Sequence, residues 1–342
     1  MDAFKIQEEL LNKIKDKLGG KDHWVDMIAE TLSLSKPAVY KRLNGSTSLS
    51  IYDLSVLMKR FDVSFDQLIH TDKLTVDFHF PTSGEKVKTF IDFLNPIRDF
   101  AVSLASLPNV KIYHATSELH LFYYFLDKDL TNFKMFLHAK TLWNLSGYED
   151  LKFSINDFSG SHFIAEKADE ILQHYFPTPS VELWNENIIT NTLNQIKYFL
   201  ISGYFEHPDE AITLCEKMRG LIRHLLKMAE KGKKFRPGGN VHSSSGSYEL
   251  YHNELSYTNN IMLICSDKYD QVFTTFNNPN FMLSSNEKLI TFTQDWFDRV
   301  KKLSQPVSLD AHQSRMLLFN QIEKKINLTI LEIKSLLEKL TM

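Results

Sequence analysis

The sequence predicts a multidomain chain: an all-α module of five short helices over residues 1–72, then a larger, helix-rich α+β domain over residues 73–309 that ends in a β-meander. A long terminal helix follows over residues 310–342. Three patterns lead to this reading. Apolar residues recur at helical steps in the first fifth of the chain, alternate at strand steps just after His70, and return to steps of three and four beyond Asp310.

In the first module, Phe4, Leu11, Ile14 and Leu18 make one apolar face, and Gly19-Gly20 stops the helix. Ile28 and Leu32 lie four apart on a second helix, where the small Ala29 lets a neighbour approach closely. Ser33, Leu34 and Ser35 interrupt the pattern; Leu34 plugs the turn and Ser35 is a good N-cap. Pro37 then falls in a first turn, where a missing amide hydrogen costs nothing. On this third helix Val39 and Leu43 face inward, while Lys36, Pro37, Ala38, Tyr40, Lys41 and Arg42 face outward or sideways. Asn44-Gly45 ends it, glycine taking the left-handed conformation at least cost. Residues 50–61 form a fourth helix, and residues 63–69 a fifth in which Ser64 stands three residues ahead of Gln67, the capping-box spacing.

With the entry Ile28-Ala29-Glu30, the turn Leu34-Ser35-Lys36, the core positions Val39 and Leu43, Asn44-Gly45, and the tail Leu54, Leu57, Phe61, Val63, Leu68 and Ile69, residues 3–70 resemble the lambda-repressor and Cro-like helix-turn-helix domains of the XRE type. One departure is Ser33, where that family commonly has glycine. The resemblance implies that the helix from Ser35 to Leu43 docks in the major groove of DNA. Lys36, Pro37, Ala38, Tyr40 and Lys41 are then the expected base-reading residues: Lys36 can donate to guanine and Ala38 can meet a thymine methyl. Ser35, Arg42, Asn44, Ser46 and Ser48 are the expected phosphate contacts. Tyr40 has a second use open to it, packing against the next helix.

Residues 1–72 are close to neutral, so the module is not globally basic. Its charge is unevenly placed: no acidic residue occurs between Thr31 and Tyr52, where Lys36, Lys41 and Arg42 stand among hydroxyl residues. So few cations make few phosphate contacts, each worth a log-log salt slope of about −0.9. A homodimer on a two-fold site is therefore expected.

Composition bounds the rest. At 342 residues, 43% hydrophobic and 24% charged, the chain has enough apolar material for a sizeable core in a soluble protein. Cys215 and Cys265 stand far apart with no ligand at short spacing, which excludes disulfide frameworks and zinc fingers; no metal or other cofactor is expected. No apolar run has membrane-spanning length, and the N-terminus lacks the apolar stretch of a signal peptide, so the reading is a cytoplasmic, bacterial protein with no membrane partner.

After His70, residues 74–80 alternate as a half-buried strand, residues 85–106 read as a helix that Pro96 kinks or splits, and residues 110–115 form the next strand. These would make a strand-helix-strand unit with a parallel pair. Helices follow near 119–126, 130–143, 162–175, 185–204 and 208–230, and then a Gly/Ser-rich, mobile loop over 232–247. Segments 248–256, 260–265, 271–276 and 281–284 form the meander; residues 286–303 return to helix with Trp296 and Phe297 on the apolar side. In the terminal helix, Phe319, Ile322, Ile326, Ile330, Ile333, Leu337 and Leu340 form an a/d seam. Two readings stand: Ile322, Ile326, Ile330, Ile333 and Leu337 make a dimerisation helix, or the seam packs on its parent domain.

Few residues of the large region suggest chemistry. His138-Ala139-Lys140 has the His-x-Lys core of phospholipase D-like phosphodiesterases, but Leu145 stands where the aspartate belongs and no second copy occurs, so no catalytic residue is assigned. The order of elements resembles the degenerate phospholipase D-like sensor domains fused to some transcription regulators. His242, His252, Glu249 and Glu254 match no metal-ligand spacing and read as solvated. The expectation is a sequence-specific, dimeric transcriptional regulator whose large domain takes a small-molecule or protein effector. The alternatives are a DNA-tethered phosphodiesterase-like enzyme and an antitoxin-like regulator that binds another polypeptide.

Overall fold

A computed structural model describes residues 3–18, 23–65, 68, 76–80, 87–254, 260–277 and 280–340. The chain divides into two compact units, residues 1–77 and 78–342. A helical N-terminal region precedes an α+β region that holds a seven-stranded mixed sheet and a long C-terminal helix.

The first unit contains α1 (Ala3–Lys17), α2 (Trp24–Leu32), α3 (Lys36–Leu43) and α4 (Ile51–Phe61). Leu68 is helical and fully buried; most of the expected fifth helix, with Gln67 of its capping box, lies outside the described residues. Helical spacing brings Leu10, Leu11 and Ile14 of α1 together with Ile28, Val39 and Leu57 in one core, all at most 1% exposed. Ser50 and Asp53 close a capping box at the start of α4, each side chain accepting from the other's backbone N–H.

Near the start of the second unit, His79 makes an isolated antiparallel bridge to Leu283. The strand expected over residues 74–80 is thus absent from its described part, where Phe78 and Phe80 are exposed, so alternation there does not record a buried face. Helix α5 (Phe90–Ala105) follows, started by a Thr89–Asp92 capping box, and runs through Pro96 without a break. Burial of Leu94, Ala101 and Leu104 on both sides of the proline outweighs the one lost hydrogen bond.

Strand β1 (Lys111–Ala115) leads to α6 (Leu121–Tyr124), α7 (Lys128–Thr141) and α8 (Ser161–Tyr175), and then to β2 (Ser180–Trp184). Helices α9 (Thr190–Ile201) and α10 (Glu210–Lys231) precede β3 (Tyr248–His252). Strands β4 (Ile261–Cys265), β5 (Gln271–Asn277) and β6 (Asn280–Ser284), helix α11 (Glu287–Leu303), the short β7 (Gln305–Pro306) and α12 (His312–Leu340) complete the unit. The sheet order is β6-β5-β4-β1-β2-β3-β7; β1, β2 and β3 are parallel and every other pair is antiparallel.

This order corrects two expectations. The parallel partner of β1 is β2, a strand buried along its whole length, which shows no polar alternation because both sheet faces are covered. The meander is only β4-β5-β6, since β3 lies across the sheet beside β2. Period-two geometry puts Ile112, Trp184, Tyr248 and Leu250 on a face covered by helices, while Ala115, Leu183 and Leu263 face α11 through Phe297 and Val300.

The Gly/Ser-rich segment 232–247 is anchored at both ends: the Lys234 amide donates to Gly246, Gly246 donates to Phe176, and Lys233 bridges Ser247. Its middle, from Gly238 to Ser244, is exposed.

The terminal seam takes the second of its two readings. Ile322, Ile326 and Ile333 are fully buried and Ile330 is nearly so, all within the unit's main core, and Leu337 is half-buried against it. Helix α12 lies on α9 and α10, with Arg223 and Glu323 pairing across at 2.6 Å and Lys197 and Glu332 at 2.8 Å. The dimerisation role expected of these residues is therefore corrected: the apolar stripe is already covered by helices of its own chain, so it offers no free seam to a second copy.

Candidate nucleic-acid interface

Helix α3 is positioned from beneath and from both ends. Val39 is fully buried, and Leu43 packs against the same core. The turn before the helix depends on Ser33, which ends α2 at φ +54° and donates its amide to the carbonyls of Ala29 and Glu30. Serine here takes a left-handed conformation that costs a residue with a Cβ roughly 1–2 kcal/mol. At the far end Gly45 takes φ +75°, and a Cβ there would lie 2.0 Å from the Phe4 ring. Glycine is thus favoured at this corner by its backbone conformation, and a Cβ would also require the Phe4 ring to move aside.

Spacing and propensity do not reveal Gln7, which holds the segment after α3. This α1 side chain is 4% exposed. Its Nε2 donates to the carbonyls of Arg42 at 2.6 Å and Thr47 at 3.1 Å, and its Oε1 accepts from the Leu49 amide at 2.6 Å. A buried amide with three backbone partners rigidly fixes residues 42–49 to the first helix. Only the polarity of Gln7 amid an apolar face hinted at it.

The outward face is as follows. Lys36, Pro37, Tyr40 and Lys41 are exposed, and Ala38 is half-buried beside them. Tyr40 is 56% exposed, so it does not pack against the next helix. Lys36 reaches back to Asp26 on α2 at 2.6 Å; the contact holds the Asp26 carboxyl below its ordinary range and raises the Lys36 amine. Lys41 has no ion-pair partner among the described residues.

The expected phosphate contacts divide into two groups. Ser35 stands at the N-cap with extended φ and ψ, but its hydroxyl caps no amide; its carbonyl accepts from Ala38 and Val39 instead. That hydroxyl is exposed, as are Ser46 and Ser48. Asn44 Oδ1 accepts from the Ser46 hydroxyl at 2.8 Å and shapes the turn. Arg42 is turned inward, donating to the Ala38 carbonyl at 3.2 Å and lying 3.6 Å from Asp53. The stretch free of acidic residues from Thr31 to Tyr52 is bounded in space by Asp26 and Asp53, which meet two of its three cations. Ile51 and Tyr52, at the start of α4, are 90% and 75% exposed. They lie just beyond Ser48, and their helical pattern does not predict their exposure.

In the second unit His138 and Lys140 have separate partners. His138 is buried against Trp143 and Phe93, and burial lowers its pKa to about 3. Lys140 donates to the carbonyls of Tyr148, Glu149 and Leu151. Glu249 pairs with Lys111 and Lys301, and His252 with Glu254. No metal-binding group of histidine, cysteine or carboxylate occurs among the described residues, and no helix there is long and apolar enough to cross a membrane.

Comparison with protein-family models, with curated proteins and with solved structures finds no match.

Proposed function

We propose that the chain is a sequence-specific DNA-binding regulator of the lambda-repressor-like type, with α3 as the helix that enters the major groove and the second unit serving dimerisation and the sensing of an effector. The observation that carries this reading is the outward face of α3, where Lys36, Pro37, Tyr40 and Lys41 are exposed while Val39 and Leu43 fix the helix from below. An α-helix with its side chains is about 10–12 Å across, which fits a major groove about 12 Å wide.

Within this reading, Lys36, Ala38, Tyr40 and Lys41 contact bases, with Pro37 against the groove wall. Ser35, Ser46 and Ser48 contact phosphates. Arg42 orients α3 through Asp53, which makes it a weaker phosphate candidate than the exposed Ser35, Ser46 and Ser48. The proposed dimer uses a surface other than the α12 seam.

The test is selection of bound duplexes from a random pool by the full chain, followed by anisotropy titration of the winning site. A two-fold motif with half-sites about one turn apart is expected. Lys36→Ala with Lys41→Ala should weaken binding at least 100-fold and relax the selected motif at the bases they read. Absence of any enriched motif, or unchanged affinity in the double variant, defeats the reading.

A further inference from the structure

The second unit contains a cavity of about 210 Å³ at the carboxyl end of β1. Its place in the sheet is informative. After β1 the chain crosses to β2 and β3 on one side, and after β3 it returns to β4 on the other, so the strand order reverses beside β1. Crevices at such a reversal, beyond the carboxyl ends of strands, are where open α/β sheets bind ligands.

Five phenylalanines contribute to the lining. Phe93 and Phe100 come from α5, Phe122 from α6, and Phe273 and Phe281 from β5 and β6. Polar residues also meet this surface, among them His114, Thr116, His120 and Asn260. Thr116 is engaged, its hydroxyl within hydrogen-bond reach of the Glu118 carbonyl and of Asn260 Oδ1, which also accepts from the Ser117 amide. That leaves the Asn260 amide as a donor. His120 Nδ1 accepts from the Phe122 amide at 3.3 Å, which puts the ring proton on Nε2 and makes that nitrogen a donor as well. His114 is 7% exposed, lies edge-on to His120 at 4.8 Å, and makes no hydrogen bond among the described residues. A neutral imidazole in that position offers a free acceptor.

Charge narrows the ligand further. The charged side chain in the lining is Glu118, whose carboxylate lies 3.4 Å from the Lys134 ammonium. Among the described residues no cation lines the cavity to match an anion. Burial pushes the His114 pKa down to about 3 and lowers that of His120 as well, so neither ring supplies a positive charge at neutral pH. Aromatic walls with a few convergent polar groups are the usual composition of a small-molecule site. The volume also fits: about 210 Å³ is available, against the ~150 Å³ that accommodates benzene.

The geometry points to a binding site for a small, uncharged, fused-ring aromatic molecule bearing an N–H or O–H, its rings between Phe93, Phe100, Phe122 and Phe273 and its donor on His114. The site stands whether or not the first unit reads DNA, since binding here is measured without a duplex.

The test is calorimetric titration of the full chain with indole as the uncharged probe and indoleacetate as its anionic counterpart. Indole should bind saturably at one site per chain, and indoleacetate at least tenfold more weakly. Ile97→Trp fills the cavity from α5 and should weaken indole at least tenfold. Thr275→Trp fills it from β5 and serves if Ile97→Trp does not fold, as read by circular dichroism. His114→Phe should weaken indole while leaving naphthalene, which has no donor, unaffected. Failure of indole to saturate, equal binding of the anion, or undiminished binding in the folded filled variant overturns the proposal.

Discussion

The two units place their polar chemistry in opposite ways. In the first, Lys36, Lys41 and the hydroxyls of Ser35, Ser46 and Ser48 lie on the outside, and even the Lys36–Asp26 pair is largely solvated. In the second, ionisable groups lie inside: Glu182 is 1% exposed and accepts from Tyr123, Ser180 and Trp184, and Lys234 is 1% exposed over the Tyr175 ring. Period-two geometry explains this cluster, since Ser180, Glu182 and Trp184 share one sheet face and His114 is the register partner of Glu182 on β1. Desolvation raises the Glu182 pKa and lowers that of Lys234 to about 7. The first unit keeps Lys36 and Lys41 at its surface, whereas the second also holds several titratable groups out of water. The two should therefore respond differently to mutation and to pH.

The largest expected effect comes from the α12 seam. Ile326→Asp with Ile333→Asp buries two carboxylates at fully buried positions, a loss well above ~4 kcal/mol. Melting followed by circular dichroism should lose the transition of the second unit and keep that of the first. A folded variant of halved mass by light scattering would instead make the seam an interface between copies.

Acid should separate the units next. His114 and His138 have folded pKa values near 3, below the ordinary 6.5, so they stay neutral when folded and take up protons when unfolded. Stability from this source is intact above pH 6.5 and falls as pH drops from there toward 3. At pH 5 each buried ring withholds roughly 2 kcal/mol, and His138→Leu should recover about that much of the difference between pH 7 and pH 5 in urea unfolding of the second unit. An unchanged pH difference in that variant would place the acid sensitivity elsewhere.

Two glycine-sensitive corners test the first unit on a smaller scale. Gly45→Ala meets both a left-handed backbone and the Phe4 ring, and should lower the stability of that unit by about 1–3 kcal/mol. Ser33→Gly relieves the left-handed conformation at the turn and should raise stability by about 1 kcal/mol, or a few degrees in melting temperature. If Ser33→Gly melts at a lower temperature, the serine side chain makes a stabilising contact that outweighs its strain.

Helices α2, α3 and α4 are readable in the chain because each depends on near neighbours: Ile28 with Leu32, Val39 with Leu43, Ser50 with Asp53. The outward placement of Tyr40 and Lys41 follows from the same periodicity. Gln7 was not legible as the clamp on residues 42–49, because its three partners lie 35 or more positions away. The pairing of Arg42 with Asp53 was missed for a related reason: a stretch without acidic residues says nothing about which acids fold back onto it. Pro96 misled because burial on both flanks outweighs a local propensity.

The amino-acid sequence by itself determined the helical first region, the inward and outward faces of α3, and the existence of α10, α11 and α12, since those depend on periodicity and capping within a few residues. Only tertiary structure decided that β2 is a central strand, that β3 leaves the meander for the far side of β1, that the α12 stripe is covered by α9 and α10, and that five phenylalanines enclose a cavity. Each of these rests on contacts between segments tens of residues apart, where a fully buried strand and a buried helix show the same unbroken apolar run, and where packing chooses the partner.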